Sequence, residues 1–154
     1  MGSKNFKTFL FGIIFSLLVG ICQLSLAQQS KIDSLKVEIN KAKDDTTHIF
    51  LLNMLGWQLM NQNLDTSIVL GLQTLKIAER TKHKKSIANT NSNLGAYYYI
   101  KGEYSLSLSH HFKALEITKK WNYKRRIAVS LINIGLVFWR QGDYPNALNY
   151  YFEV

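Results

Sequence analysis

Apolar residues recur along this chain at helical spacing, and no segment alternates as a strand would. Ile32, Leu35, Ile39 and Ala42 step by 3, 4 and 3 and predict an amphipathic helix over 31–43. Leu52, Leu55, Gly56 and Leu59 mark a helix over 47–61, and Ile68, Leu72, Leu75 and Ile77 a partner over 65–81. Two further helical hairpins are expected, over 86–120 and from 126 onward. Asp44-Asp45-Thr46-Thr47 supplies side-chain oxygens for the free amides of the first hairpin. Gly102, in Lys101-Gly102-Glu103, and Gly142, in Gln141-Gly142-Asp143, stand where a helix closes in the left-handed conformation; Pro145 then falls in a first helical turn, where its missing amide costs little.

The second and third hairpins restate each other. Ile87 and Ile127, Ala88 and Ala128, Asn93 and Asn133, Gly95 and Gly135, Gly102 and Gly142, Tyr104 and Tyr144, Leu108 and Leu148, and Phe112 and Phe152 all stand 40 residues apart. Such a period, with a Gly-centred turn between helices, marks stacked hairpins that cannot bury their apolar faces singly. Gly95 and Gly135 let the two helices of a hairpin approach closely, Ala114 and Ala147 do so from the facing helix, and aromatics fill the gaps. The expectation is an all-α chain of about three repeats over 46–154, preceded over 28–45 by a linker and a helix that covers the open end. The third hairpin reaches Val154 about one turn before the point where its counterpart closes, and no polar capping helix follows; the array is expected to be cut short there.

Residues 1–27 depart from this pattern. Lys4 and Lys7, the apolar run Phe9 to Ile21, and Ser25-Leu26-Ala27 read as an export signal cleaved before Gln28. An uncleaved anchor is the alternative, since Thr8 to Leu26 nearly spans a bilayer, although Ser16, Cys22, Gln23 and Ser25 make it a poor one. A myristoylation start fails at Phe6, where Ser or Thr is wanted, and a lipoprotein box at Cys22 has bulky Ile21 before the cysteine. Cys22 is the only cysteine, so the mature chain would hold no disulfide and no Cys-ligated metal. The composition, 47% hydrophobic and 19% charged, is that of a globular chain. Setting Lys4 and Lys7 aside reduces the net charge from +9 to +7, with 17 basic residues against 10 acidic. Those charges cluster at the joints between hairpins, Lys82-His83-Lys84-Lys85 and Lys119-Lys120 with Lys124-Arg125-Arg126. They give the stack a positive edge, open to an acidic partner or simply solvated, with Lys119 and Lys120 also offsetting the negative end of a helix. Aromatic interleaving of the RNA-binding kind is missing, and nucleic acid fits poorly with export.

Candidate chemistry is sparse. His110 and His111 are adjacent, so on a helix they point about 100° apart and do not make a metal pair. His48 and His83 are isolated, and the sequence has no Gly-rich phosphate loop, nucleophile elbow or supported carboxylate pair. No catalytic, cofactor-binding or metal-ligating residue is expected.

At Leu94, Gly95 and Tyr98, and again at Leu131, Ile134, Gly135 and Phe138, the chain resembles the tetratricopeptide repeat (TPR) family, whose first helix carries a large residue, Leu-Gly and an aromatic. The family's second-helix pattern of Ala, aromatic, Ala is similar to Ala147 and Tyr151; in the second hairpin Ala114 fits, with Ser107 and His111 in the other places. The first hairpin keeps Leu52, Leu55, Gly56 and Leu59 but has Ser67, Gly71 and Thr74 in its second helix, and Glu79 and Lys119 replace the closing Pro of the common form of about 34 residues. The resemblance covers 45–154 and implies a right-handed superhelical solenoid of antiparallel hairpins whose first helices line an inner groove. On those helices Asn53, Trp57 and Met60, then Ser92, Ala96 and Tyr99, then Ile132, Leu136 and Trp139 each form one stripe. These nine residues are the expected groove for a protein or peptide, unless neighbouring repeats, further chain or a second copy covers them. A clamp for a peptide's terminal carboxylate is not expected, because Trp57, Ala96 and Leu136 occupy the centre where the family's clamps have Lys and Asn. With its leader and its Asn-Leu-Gly and Asn-Ile-Gly units, the chain also resembles the N-terminal sensory regions of Bacteroidetes signalling proteins. That implies a protein-binding sensor in the periplasm or envelope, part of a two-component-type protein. The alternative is a complete small envelope adaptor that self-associates through its last repeat.

Overall fold

The computed structural model describes residues 2–154, with the side chains of 2–10, 12, 21, 22, 24 and 25 outside the described set. The charged start at Lys4 and Lys7, the Ile21-Cys22 pair and Ser25 therefore lie outside the described side chains. Seven helices and no strand occur among the described residues: α1 (Gly2–Lys41), α2 (Asp45–Leu59), α3 (Leu64–Arg80), α4 (Lys84–Lys101), α5 (Tyr104–Lys120), α6 (Lys124–Arg140) and α7 (Tyr144–Phe152). Helices α2/α3, α4/α5 and α6/α7 are antiparallel hairpins, each packed on the next, and α4 also touches both α2 and α6. The result is a right-handed solenoid with α2, α4 and α6 as its inner layer.

Sequence chemistry sets the helix ends. The Asp44 carboxylate accepts from the Thr47 amide at 2.8 Å, Asn63 from Thr66 at 2.9 Å, and Asp143 from Asn146 at 3.2 Å. Gly102 and Gly142 take φ of 83° and 79°, and the following amides, Glu103 and Asp143, donate back to Tyr98 at 2.9 Å and Phe138 at 3.0 Å. Pro145 lies in the first turn of α7. Between hairpins the left-handed position is held by Lys82 and Asn122, with φ of 55° and 53°, two positions that hydrophobic periodicity does not flag.

Helix α1 differs most from expectation. It does not begin near residue 31 after a linker but runs from Gly2 to Lys41, about 60 Å at the rise of an α-helix. Gln28, Gln29, Ser30 and Lys31 contain no breaker, and polarity alone does not stop a helix. Its C-terminal third seats Ile32 and Leu35 against Leu51 and Leu55, with Ile39 and Ala42 alongside, and the Gln28 amide donates to the Gln58 carbonyl at 3.1 Å. Upstream, Phe11, Ile13, Ile14, Phe15, Leu17, Leu18 and Val19 are exposed. Among the described residues no helix is long and apolar enough to cross a membrane.

Within the stack, Gly95 lies under the His111 ring and Gly135 under Tyr151, so close that an added Cβ would stand 2.6 Å and 2.5 Å from those rings. Ala114 and Ala147 are buried on the facing helices, and the Ser107 hydroxyl donates to the Gly95 carbonyl at 2.7 Å. The buried stripe of α3 is Ser67, Ile68, Gly71, Thr74 and Ala78, whereas Leu72 is exposed. Small residues on that face let Leu94 and Tyr97 of α4 come close, and they displace the larger apolar residues from the contact.

Candidate binding groove

Helices α2, α4 and α6 enclose an open groove of about 870 Å³. Four of the nine residues expected there line it: Asn53, Trp57, Ser92 and Ala96. The other five lie elsewhere. Met60 packs against the cluster of Ile68, Leu94, Tyr97 and Tyr98, and the half-buried Tyr99 lies 6.1 Å from the Tyr104 ring. Ile132, Leu136 and Trp139 are exposed on α6, but the wall that α6 gives the groove consists of Arg126, Val129 and Asn133. The groove extends to the N-terminal ends of its helices, where it takes in Thr46, Thr47, Ile49 and Phe50 of α2. Residues late in each stripe, Met60, Tyr99 and Trp139, consequently fall outside it.

The floor is polar and internally bonded. Asn93 donates to the Asn53 carbonyl oxygen at 3.0 Å, Asn53 donates to the Thr90 hydroxyl at 2.9 Å, and the Arg126 guanidinium donates to Asn89. Each bond joins one inner helix to the next, so the network fixes the spacing of the groove walls as it presents amides to the solvent side. Sequence reasoning missed Asn89, Asn93, Asn133 and Arg126 as lining residues. The signal was the 40-residue interval between Asn93 and Asn133, which marked a repeated position without saying which way it faced.

The N-terminal rim of the groove is cationic. Lys85 and Arg126 line it, and an adjoining cleft of about 690 Å³ adds Lys124 and Arg125 beside Tyr123. Two carboxylates near this rim are otherwise engaged. The Thr47 amide holds the Asp44 carboxyl below its usual range, and Asp45 pairs with Arg80 at 3.4 Å. Lys119, from the second basic cluster, pairs with Glu153 at 3.3 Å.

The histidines belong to the packing. His110 stacks on Tyr98 with centroids 5.4 Å apart and shares a 2.9 Å hydrogen bond with Asn91, whereas the buried Nδ1 of His111 has no partner. Burial pushes both imidazoles down, His111 to about 4, with the neighbouring His110 adding to the effect on His111. Among the described residues no group of three or more His, Cys, Asp or Glu is placed to hold a metal. What the groove offers is aromatic surface, amides and cations, which is the chemistry of binding.

Residues 86–153 match the tetratricopeptide repeat family model. The TPR domain of Arabidopsis FLU has the same fold, with a TM-score of 0.66 at 19% identity over 71% of this chain and 93% of that one. The apo form of RapI superposes with a TM-score of 0.69 at 20% identity over 85% of this chain, which spans only 36% of RapI. No curated protein is a significant match in sequence. TPR domains bind proteins or peptides and are generally not catalytic. The kept interval, the Gly-centred hairpins and the inner groove agree with these matches: the chain has the fold of a tetratricopeptide repeat solenoid, and residues 86–153 carry that family's sequence pattern.

Proposed function

We propose that this chain is the exported sensory segment of a two-component-type signalling protein, and that its input is the occupancy of the groove between α2, α4 and α6. Trp57 carries the binding half of this reading. It is 48% exposed in the groove, with its ring 6.5 Å from that of buried Tyr97. An aromatic side chain left in water beside a preformed amide network is what a peptide anchor requires. A ligand that favours one curvature of the stack shifts the population toward it, and stacked hairpins pass that shift to their ends. The charged, apolar and small segments of residues 1–27 support export to the periplasm or envelope, as do the exposed apolar side chains of α1. A second reading, an envelope adaptor that self-associates through its last repeat, draws on exposed Tyr144, Leu148 and Phe152 of α7; a concentration-dependent dimer in sedimentation would favour it.

The groove is tested by panning the full chain against displayed random peptides and titrating the selected ones by fluorescence anisotropy. Trp57→Ala is expected to weaken binding at least tenfold, about 1.4 kcal/mol, with helicity by circular dichroism unchanged. Trp139→Ala, outside the groove, is expected to leave affinity as it is. Indifference to Trp57→Ala, or failure to select any peptide, removes the groove reading. The signalling half is tested by reading the transcript through the Val154 codon; a frame continuing into an apolar span and an output domain supports it, and a stop codon removes it.

A further inference from the structure

The groove and the adjoining cleft share Lys85, Ser92, Arg126 and Val129, so they form one continuous depression. Among the described residues no carboxylate lines either part, while Lys85, Lys124, Arg125 and Arg126 do, and none of these four enters a salt bridge. Helices α4 and α6 begin at this rim, and neither N-terminus has a side-chain cap; the first-turn amides of α4 and the positive dipole ends of both helices add to the four cations. The far end of the groove is different in kind. Ala96 lies 11 residues along α4 from Lys85, about 16 Å at the helical rise, and it shares that end with Trp57.

We propose that the occupant of the groove is an acidic peptide. Its carboxylates meet Lys85, Arg125 and Arg126 at the rim, and a large apolar or aromatic residue about five positions away lies against Trp57, since an extended chain covers about 3.3 Å per residue. This rests on the peptide-groove reading and adds the charge, polarity and spacing of the ligand. A field of one sign, lining a concave site with no internal counter-charge, selects ligands of the opposite sign and rejects cationic ones.

The experiment uses the full chain and the displayed random peptides. Selected sequences are expected to be rich in Asp and Glu, with Trp, Phe or Leu about five positions from the acidic cluster, and to bind at least tenfold more weakly in 300 mM than in 50 mM NaCl. Lys85→Glu/Arg125→Glu, at two exposed positions, is expected to weaken the selected peptide at least tenfold and to restore binding to the same peptide with Lys in place of its acids. That swap cannot arise from misfolding. Selection of neutral or basic peptides that still depend on Trp57 keeps the groove and overturns the acidic occupant. So does charge reversal without effect, or tighter binding of a single-stranded oligonucleotide of equal charge. Failure to select any peptide removes the groove itself, and the acidic occupant with it.

Discussion

The first hairpin and the second are built on the same helical frame but closed from different directions. In α4/α5 the gap above Gly95 is filled from within by His111, and in α6/α7 Tyr151 does the same above Gly135. In α2/α3 the equivalent position is Gly71, which fills nothing. The space beside Gly56 is occupied instead by Tyr97 of α4, whose ring also reaches toward Gly71, while Leu94 would stand 2.7 Å from a Cβ there. The second and third hairpins thus complete their own interiors, and the first completes its interior only on contact with its neighbour. In a solenoid whose stability is a sum of repeat and interface contributions, this moves the first hairpin's share into the interface.

The comparison breaks most visibly at Tyr97, a buried ring that touches both hairpins and is held neutral by burial, which pushes its phenol pKa up. Tyr97→Ala should cost about 3–5 kcal/mol, the range for truncating a buried aromatic, and should release the amides of α2 and α3 as well as those of α4. Native-state hydrogen exchange resolves the difference helix by helix. Loss confined to α4/α5 would mean that the first hairpin stands without its neighbour.

A smaller effect separates the second hairpin from the third. His111 must stay neutral in the fold, where burial first and His110 second hold its pKa at about 4, against 6.5 for the ordinary group. Between those values the unfolded chain binds a proton that the folded one refuses, so stability is complete above pH 6.5 and falls as pH drops toward 4, by roughly 3 kcal/mol. The counterpart in the third hairpin, Tyr151, is a phenol rather than an imidazole. His111→Phe should therefore flatten the acid limb of a stability–pH curve measured by urea denaturation. It also removes the buried Nδ1 that has no partner, leaving a residual slope from His110. An unchanged slope would place the acid sensitivity elsewhere.

Much of this architecture is legible in the sequence because it repeats. Gly95 and Gly135 disclose a close approach, and Gly102 and Gly142 a left-handed turn, each through a residue type that few alternatives can replace. The first hairpin's mode of closure is not legible, because Gly71 states only that nothing is there, and the ring that serves the site is 26 residues away on another repeat. The groove is half legible for a related reason. Spacing by 4 and 3 places Trp57 and Ala96 on one face, but where a groove starts and stops along a helix depends on how its neighbours are stacked. Periodicity carries no such information, so Met60 is assigned to the groove when it is partly buried against Ile68, Leu94, Tyr97 and Tyr98, and Asn89 and Arg126 are passed over as lining residues.

The smallest test adds one methyl group to each kind of hairpin. At Gly95 a Cβ would stand 2.6 Å from two atoms of the His111 ring and 2.7 Å from a third; that ring is buried and cannot swing aside. Overpacking of this sort costs about 1–3 kcal/mol, and the gain in helix propensity from Gly to Ala returns up to about 1, so Gly95→Ala should be destabilising by about 1–2 kcal/mol. At Gly56 the single close atom is the Tyr97 hydroxyl oxygen, 2.8 Å away at the far end of a side chain, with the next atoms at 3.6 Å and 3.8 Å. A slight tilt of the phenol relieves that contact, the propensity gain offsets what remains, and Gly56→Ala should lie within about 0.5 kcal/mol of the parent. Urea denaturation midpoints at neutral pH, where His111 is uncharged in both variants, order the two directly. A loss at Gly56 equal to that at Gly95 would show that a ring supplied by the next repeat is held as tightly as one supplied from within, and that the interface between the first two hairpins is as rigid as their interiors.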